Sequence, residues 1–227
     1  MTIIIDIDFN DDKGHYCQGD HHCLFIGPEG SALRLTREQA EQNRRRIVET
    51  ASRMFRLQGL ENVSVADIMK EAGFTHGGFY NHFRSKDELA AEAVAGAFDS
   101  AAAKLAKDVA SGNDPQKALE AILAAYLSPA HRDTRTGGCP APAFPLDAAR
   151  SGKDVQAAFA DGIESYLEIF TGRMDGDKRE ARQRAVALLS GIVGAVVLSR
   201  AVKKAQPKLS DELLSSARKQ ISRQTNP

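Results

Sequence analysis

Apolar residues recur at helical spacing along most of this chain. From Arg37 to Gln58 the stripe is Ile47, Ala51, Met54 and Phe55, and Gly59 stops the pattern. Val65, Ile68, Met69 and Ala72 then fall at i, i+3, i+4 and i+7, with Ser64 placed to cap them. Ala72-Gly73-Phe74 breaks the pattern where a turn must fall, and Gly73 is free to take a positive φ. Thr75 is placed to cap a second short helix, whose Phe79 and Phe83 point inward. Two short helices joined by a tight turn read as a helix-turn-helix, whose second helix lies in the DNA major groove.

The pattern continues downstream. A longer helix opens at Ser85, with Glu88 completing a capping box, and runs to Ala110. Ser111-Gly112-Asn113 interrupts it, and Asp114-Pro115 forms an N-cap and N1 pair for a helix reaching Leu127. Pro129, Gly137, Gly138, Pro140, Pro142 and Pro145 make residues 128 to 145 a loop, followed by a short helix from Leu146 to Arg150. Lys153 to Met174 reads as a long helix with Val155, Phe159, Ile163, Tyr166, Leu167 and Phe170 inward. Another spans Lys178 to Lys204, capped by Asp175 or Asp177, and a last one after Pro207 is capped by Ser210 and ends near Ser222. Residues 1 to 35 differ. MTIIIDIDFNDD alternates apolar and acidic residues like one short strand, and glycines interrupt the residues after it. This segment is either a disordered extension or a wrongly assigned start.

The run Gly78-Phe79-Tyr80-x-His82-Phe83, followed by Ser85-Lys86-x-Glu88-Leu89, resembles the TetR family of bacterial transcriptional repressors. Ile47, Ala51, Phe55 and Gly59 match that family's first helix. Val63-Ser64-Val65, Ile68 and Ala72-Gly73 match its second. The resemblance covers residues 40 to 95; beyond them the chain agrees only in helicity and length. It implies an all-α protein with a helix-turn-helix DNA-binding domain over residues 36 to 86, the motif itself at 64 to 83. A helical ligand-binding and dimerisation domain would fill residues 87 to 227. It further implies base contacts from Thr75, His76 and Gly77, and phosphate contacts from Ser64, Tyr80, His82 and Lys86. At 100° per residue with Phe79 inward, Gly77 and Asn81 lie on the opposite face. Gly77 departs from the family, where a polar side chain is more usual, so His76 and Asn81 become the base readers. Gly77-Gly78 reads as close backbone approach to DNA, or as a weak helix in which each glycine costs about 1 kcal/mol relative to alanine. Tyr80 also reads as a half-buried ring on the first helix and His82 as a hinge residue, while Arg44 to Arg46 read as a general electrostatic contribution.

In the C-terminal part the resemblance implies a homodimer through the last two long helices, a near-palindromic double-stranded operator, and a small-molecule effector. Leu188, Leu189, Ile192, Val193, Val196 and Val197 cover a wide apolar arc, and Gly191, Gly194 and Ala195 permit close helix approach. Phe98, Ile122, Tyr126, Phe144, Phe159, Tyr166 and Phe170 are candidates for an effector pocket, or plain core. Cys139 follows Gly137-Gly138 with Arg132 and Arg135 nearby in sequence, cations that would favour a thiolate and a redox or electrophile-sensing role; the plainer reading is a small buried residue lining the domain. His15, Cys17, His21, His22 and Cys23 are residue types that zinc prefers, but their spacing fits no zinc module, so the cluster reads as adventitious metal affinity, with a metal-sensing regulator as the alternative.

Charge modifies this picture. The 227 residues carry 30 basic and 30 acidic side chains, a net charge of zero that suits a DNA binder poorly. Divided along the chain, residues 1 to 35 hold −4 and residues 36 to 86 hold +3, so the excess sits on the module that would meet phosphates. Three cysteines give no paired disulfide framework, and the uncharged run from Ala185 to Ser199 is shorter than the ~20 residues a span requires. A cytoplasmic protein without membrane association is the expectation. No catalytic residue set, cofactor or metal site is expected, since no Ser-His-Asp set, paired carboxylates or phosphate-cradling loop appears.

Overall fold

The structure, a computed structural model, describes residues 15–18, 22–26, 32–34, 36–110, 114–174 and 176–225, with side chains described from Thr36 onward except at 115, 116, 224 and 225. The MTIIIDIDFNDD segment, Ser111-Gly112-Asn113, Asp175 and the side chains of the N-terminal His/Cys group lie outside the described residues.

Three short strands precede the helices: β1 (His15–Gln18), β2 (His22–Ile26) and β3 (Ala32–Arg34). They form one antiparallel sheet in the order β1-β2-β3, with His15 opposite Phe25 and Leu24 opposite Arg34. The glycines at 19, 27 and 30 fall between strands in the sequence, so residues that read as breaks separate short elements.

From residue 36 the described chain is helical. α1 (Arg37–Gln58) starts in a complete capping box, with Gln39 N–H donating to the Thr36 hydroxyl and Thr36 N–H to the Gln39 side chain. It ends at Gly59, whose φ of 85° a side chain would resist. Ile47, Ala51 and Phe55 are buried, while Met54 is only partly so. α2 (Val65–Ala72) buries Ile68, Met69 and Ala72. After a short 3-10 helix (His76–Asn81) comes α3 (Lys86–Ala110), which runs beside α7 (Lys153–Thr171). Gly162 of α7 makes that approach possible: a Cβ there would coincide with the Phe98 ring. The core is continuous from Ile47 in α1 to Ile221 in α9, and each fully buried Phe or Leu contributes about 1.5–3 kcal/mol.

The remaining helices are α4 (Pro115–Tyr126), α5 (Pro129–Asp133), α6 (Pro145–Arg150), α8 (Lys178–Val202) and α9 (Pro207–Thr225). α5 stands where a plain loop was expected. Its signal was present, because Ser128 caps it and Pro129 occupies the first turn, repeating the Asp114-Pro115 arrangement. Ser210 was expected to cap the last helix, but α9 starts at Pro207 and Ser210 is fully buried in its first turn. There its hydroxyl bonds to Ser199 and accepts from Arg132 at 2.8 Å. Asp177 caps α8. By length and composition α8 would suffice to cross a membrane, contrary to the short uncharged run; its Leu188, Leu189, Ile192 and Val196 face is buried within the bundle. Most of the apolar arc expected at a dimer interface is therefore core of the single chain. A second, uncharged stripe through Val186, Ala187, Ser190, Gly191, Leu198 and Ala201 is exposed.

Candidate nucleic-acid interface and adjoining cavity

Gly73 takes φ 81° and ψ 30°, and its N–H together with that of Phe74 satisfies the last carbonyls of α2. The turn packs under the Arg46 guanidinium, which lies over the Phe74 ring at 5.6 Å. The chain then enters the segment expected to be a capped α-helix. It is a 3-10 helix instead, and the Thr75 side chain makes no capping bond. Two adjacent glycines weaken α-helical preference, and the six residues are anchored at one end by the Phe79 and Phe83 rings, stacked at 5.5 Å and both buried. The period of three changes the faces. Gly77 now shares a row with Tyr80, and Gly78 with Asn81, so Asn81 no longer lies in register with Gly77.

The exposed side of this segment collects Thr75, His76, Gly77, Tyr80 and Asn81. Around Gly77 an added Cβ would meet nothing within 4 Å, so the backbone is open to close approach. Tyr80 is 68% exposed and does not pack into the core on the first helix; its ring meets Phe79 edge-on at 5.3 Å. His76 lies 6.4 Å from it, also edge-on. Ser64 is exposed, but its hydroxyl serves the α2 cap, accepting from Asp67 N–H at 3.1 Å and donating to the Asp67 carboxylate. Lys86 is half-buried at the start of α3. Glu88 N–H donates to the Ser85 hydroxyl, but the Glu88 carboxylate takes Arg84 N–H, so the expected capping box is not reciprocal. That backbone bond is the main reason the Glu88 carboxyl titrates below its usual range.

Arg44 does more than supply general charge. Its guanidinium lies 4.0 Å from the Phe83 ring centroid, pairs with Glu92 at 2.5 Å and Glu88 at 3.5 Å, and donates to the His82 carbonyl. It therefore fastens the end of the recognition segment to α3. His82 is half-buried, and burial first, then the Arg44 charge, lowers its pKa. Both effects favour the neutral imidazole.

Behind this surface lies a cavity of about 790 Å³. One wall is α1 itself, through Val48, Ser52 and Arg56; the others come from α3, α4, α7, α8 and the 134–139 segment. Of the expected pocket residues, Ile122, Tyr126, Tyr166 and Phe170 line it. Phe98, Phe144 and Phe159 do not. Phe98 packs edge-on against Phe159 at 5.4 Å, on the α7 side of α3, and Phe144 is fully buried in the turn before α6. The α1 contribution was missed, although Val48, Ser52 and Arg56 repeat at four-residue intervals beside the core stripe.

Cys139 is half-buried on the cavity wall, its thiol 3.4 Å from the Tyr166 hydroxyl. Arg132 is not its cation. That side chain is buried against Asp133, Ser210 and Asp211. The charges felt near Cys139 are those of Arg56 and Arg200. Arg56 donates to the carbonyls of Ser52 and Gly138, each at 3.1 Å, and burial lowers its pKa. Burial also raises the Tyr126 and Tyr166 hydroxyls, keeping both protonated. His131 Nδ1 lies 2.9 Å from the Tyr126 carbonyl and must carry the proton there, since a carbonyl only accepts. Burial and Arg200 keep its ring uncharged. No group of three or more metal-ligating side chains occurs among the described residues.

Residues 47–93 match the family model described as bacterial regulatory proteins, tetR family. The match spans α1 through the first turns of α3, the elements that build the exposed segment. The chain belongs to the TetR family. It is 26% identical over 171 residues to the HTH-type transcriptional regulator YxaF of Bacillus subtilis (strain 168), a match covering 74% of this chain and 90% of that one. Among solved structures, the reduced form of NemR from E. coli superposes with a TM-score of 0.67 at 17% identity, over 79% of this chain and 95% of that one. FadR from Bacillus subtilis, solved in complex with stearoyl-CoA, gives 0.58 at 18% identity, over 78% and 97%. This TetR-family chain is a DNA-binding transcriptional regulator.

Proposed function

We propose that this regulator binds a near-palindromic DNA operator as a homodimer, represses transcription, and leaves the operator when a small molecule fills the cavity behind α1. The observation that carries the reading is that α1 serves both sites: Arg44 holds the end of the recognition segment through Phe83 and the His82 carbonyl, while Val48, Ser52 and Arg56 line the cavity. A ligand that fits only one arrangement of α1 shifts the equilibrium by its difference in affinity for the two states. Leu60 N–H donates to Asp147 of α6 at 3.1 Å, a second tie between the α1–α2 turn and the regulatory helices. The FadR complex supports the reading because a protein of the same fold carries a small ligand.

DNA would be met by Thr75, His76, Gly77, Tyr80 and Asn81, with Ser64, His82 and Lys86 flanking. Neutral His82 acts there as a hydrogen-bonding group, and Ser64 contributes through the α2 N-terminus that its hydroxyl caps. The uncharged stripe of α8, with α9 beside it, is the face that would pair two chains. Pairing would set two recognition segments about 34–36 Å apart on one side of the duplex. A regulator of this kind works in the cytoplasm, where its DNA is.

Footprinting the purified chain on DNA flanking its coding region tests the proposal. A protected near-palindrome is the expected result, and salt-insensitive binding without sequence preference overturns it. On the operator so found, His76→Ala should weaken binding far more than on random DNA. Equal losses would reduce His76 to a phosphate contact.

A further inference from the structure

Resting on the reading of the cavity as the effector site, the geometry points to an amphipathic organic anion as the ligand: an apolar body with one carboxylate or ionised phenol, held by Arg56. The cavity wall is apolar along Val48, Ile122, Phe170 and Leu189. Its acidic side chains are already committed or solvated: Glu92 pairs with Arg44, Asp108 with Lys104, and Glu49 is exposed. Arg56 is different. It is half-buried and forms no ion pair among the described residues; its hydrogen bonds go to two backbone carbonyls. A guanidinium taken partly out of water without a counter-charge is an unbalanced cost, and an acidic group on the ligand would balance it with a two-pronged bond. Nearby, the buried hydroxyl of Ser52 has no hydrogen-bond partner, and the buried hydroxyl of Tyr126 faces only the Cys139 thiol. Uncommitted polar capacity thus gathers around Arg56, next to the apolar residues of the wall.

The same residue carries the signal. Arg56 belongs to α1, and its bond to the Gly138 carbonyl joins α1 to the segment before α6. An anion that draws the guanidinium from that carbonyl removes one of the ties between α1 and the regulatory helices.

The test uses the full chain and probes in matched pairs: 2-naphthoate, decanoate and 4-phenylbutyrate, each beside its uncharged amide, with binding measured by titration calorimetry. At least one acid should bind about tenfold or more tighter than its amide, the scale of one charge-assisted bond. Arg56→Gln should bring that acid down to the affinity of its amide and leave the amide unchanged, whereas Arg56→Lys should keep the preference for the acid. Amides that bind as well as their acids overturn the anion inference and leave the cavity reading standing. No binding by any probe overturns both. A preference that survives Arg56→Gln in a chain of unaltered circular dichroism removes Arg56 from the role.

Discussion

Arg44→Ala separates a structural clamp from a loose surface charge. The guanidinium is about one-third exposed, as is Glu88, with Glu92 at 40%. Surface pairs of that kind contribute only about 0.2–1 kcal/mol, so the two ion pairs together are worth roughly 1 kcal/mol. The bond to the His82 carbonyl and the stacking on Phe83 add about 1 kcal/mol or more, because both are shielded by the helices around them. The total loss is then about 2–3 kcal/mol. In a chain of this size each kcal/mol moves the melting midpoint by about 2–4 °C, so Arg44→Ala should lower it by roughly 5–10 °C in a thermal scan followed by circular dichroism. Arg44→Lys keeps the charge but cannot stack or reach three acceptors at once, and should recover less than half of the loss. Operator affinity of the alanine variant should fall at temperatures where the fold is intact, because the end of the recognition segment is no longer fixed to α3. A midpoint shift under about 1 °C, or full recovery by lysine, would refute the clamp.

The same packing and charges give two more expected outcomes. Gly162→Ala gains about 1 kcal/mol of helix propensity but places a methyl group inside the Phe98 ring, which Phe159 and Tyr166 hold in place; a net loss of about 1–3 kcal/mol should appear in urea denaturation, and adding Phe98→Leu should recover part of it. Stability should fall as pH drops below about 6.5, because His82 and His131 have folded pKa values lowered by burial, so the unfolded chain binds more protons there. Their contribution is complete above that value. A melting midpoint unchanged between pH 8 and pH 5.5, or His82→Gln and His131→Gln variants with the wild-type slope, would contradict this. The lowered carboxyls of Asp133, Glu88 and Glu164 act only in a more acidic window, so they do not mask it.

The sequence by itself determined most of the long helices and, for α1 and α2, their ends. α1 runs from Arg37 to Gln58 as its capping residues and Gly59 dictate, and Gly73 marks the turn before the exposed segment. These signals are local: a cap, a stop and an apolar stripe act within a few residues, so they are written contiguously. Tertiary structure decided what local periodicity does not encode. It made the recognition segment a 3-10 helix, because buried Phe79 and Phe83 outweigh the weak preference of the two glycines. It sorted the seven aromatic and aliphatic pocket candidates, sending Phe98, Phe144 and Phe159 into the core and leaving four on the cavity wall. It also brought Arg56 to Gly138, eighty-two residues away, and drew Arg132 from the Cys139 segment to Ser210. Which of two inward-facing side chains meets a neighbour and which meets a void depends on how separate helices are placed, and no spacing within one helix carries that information.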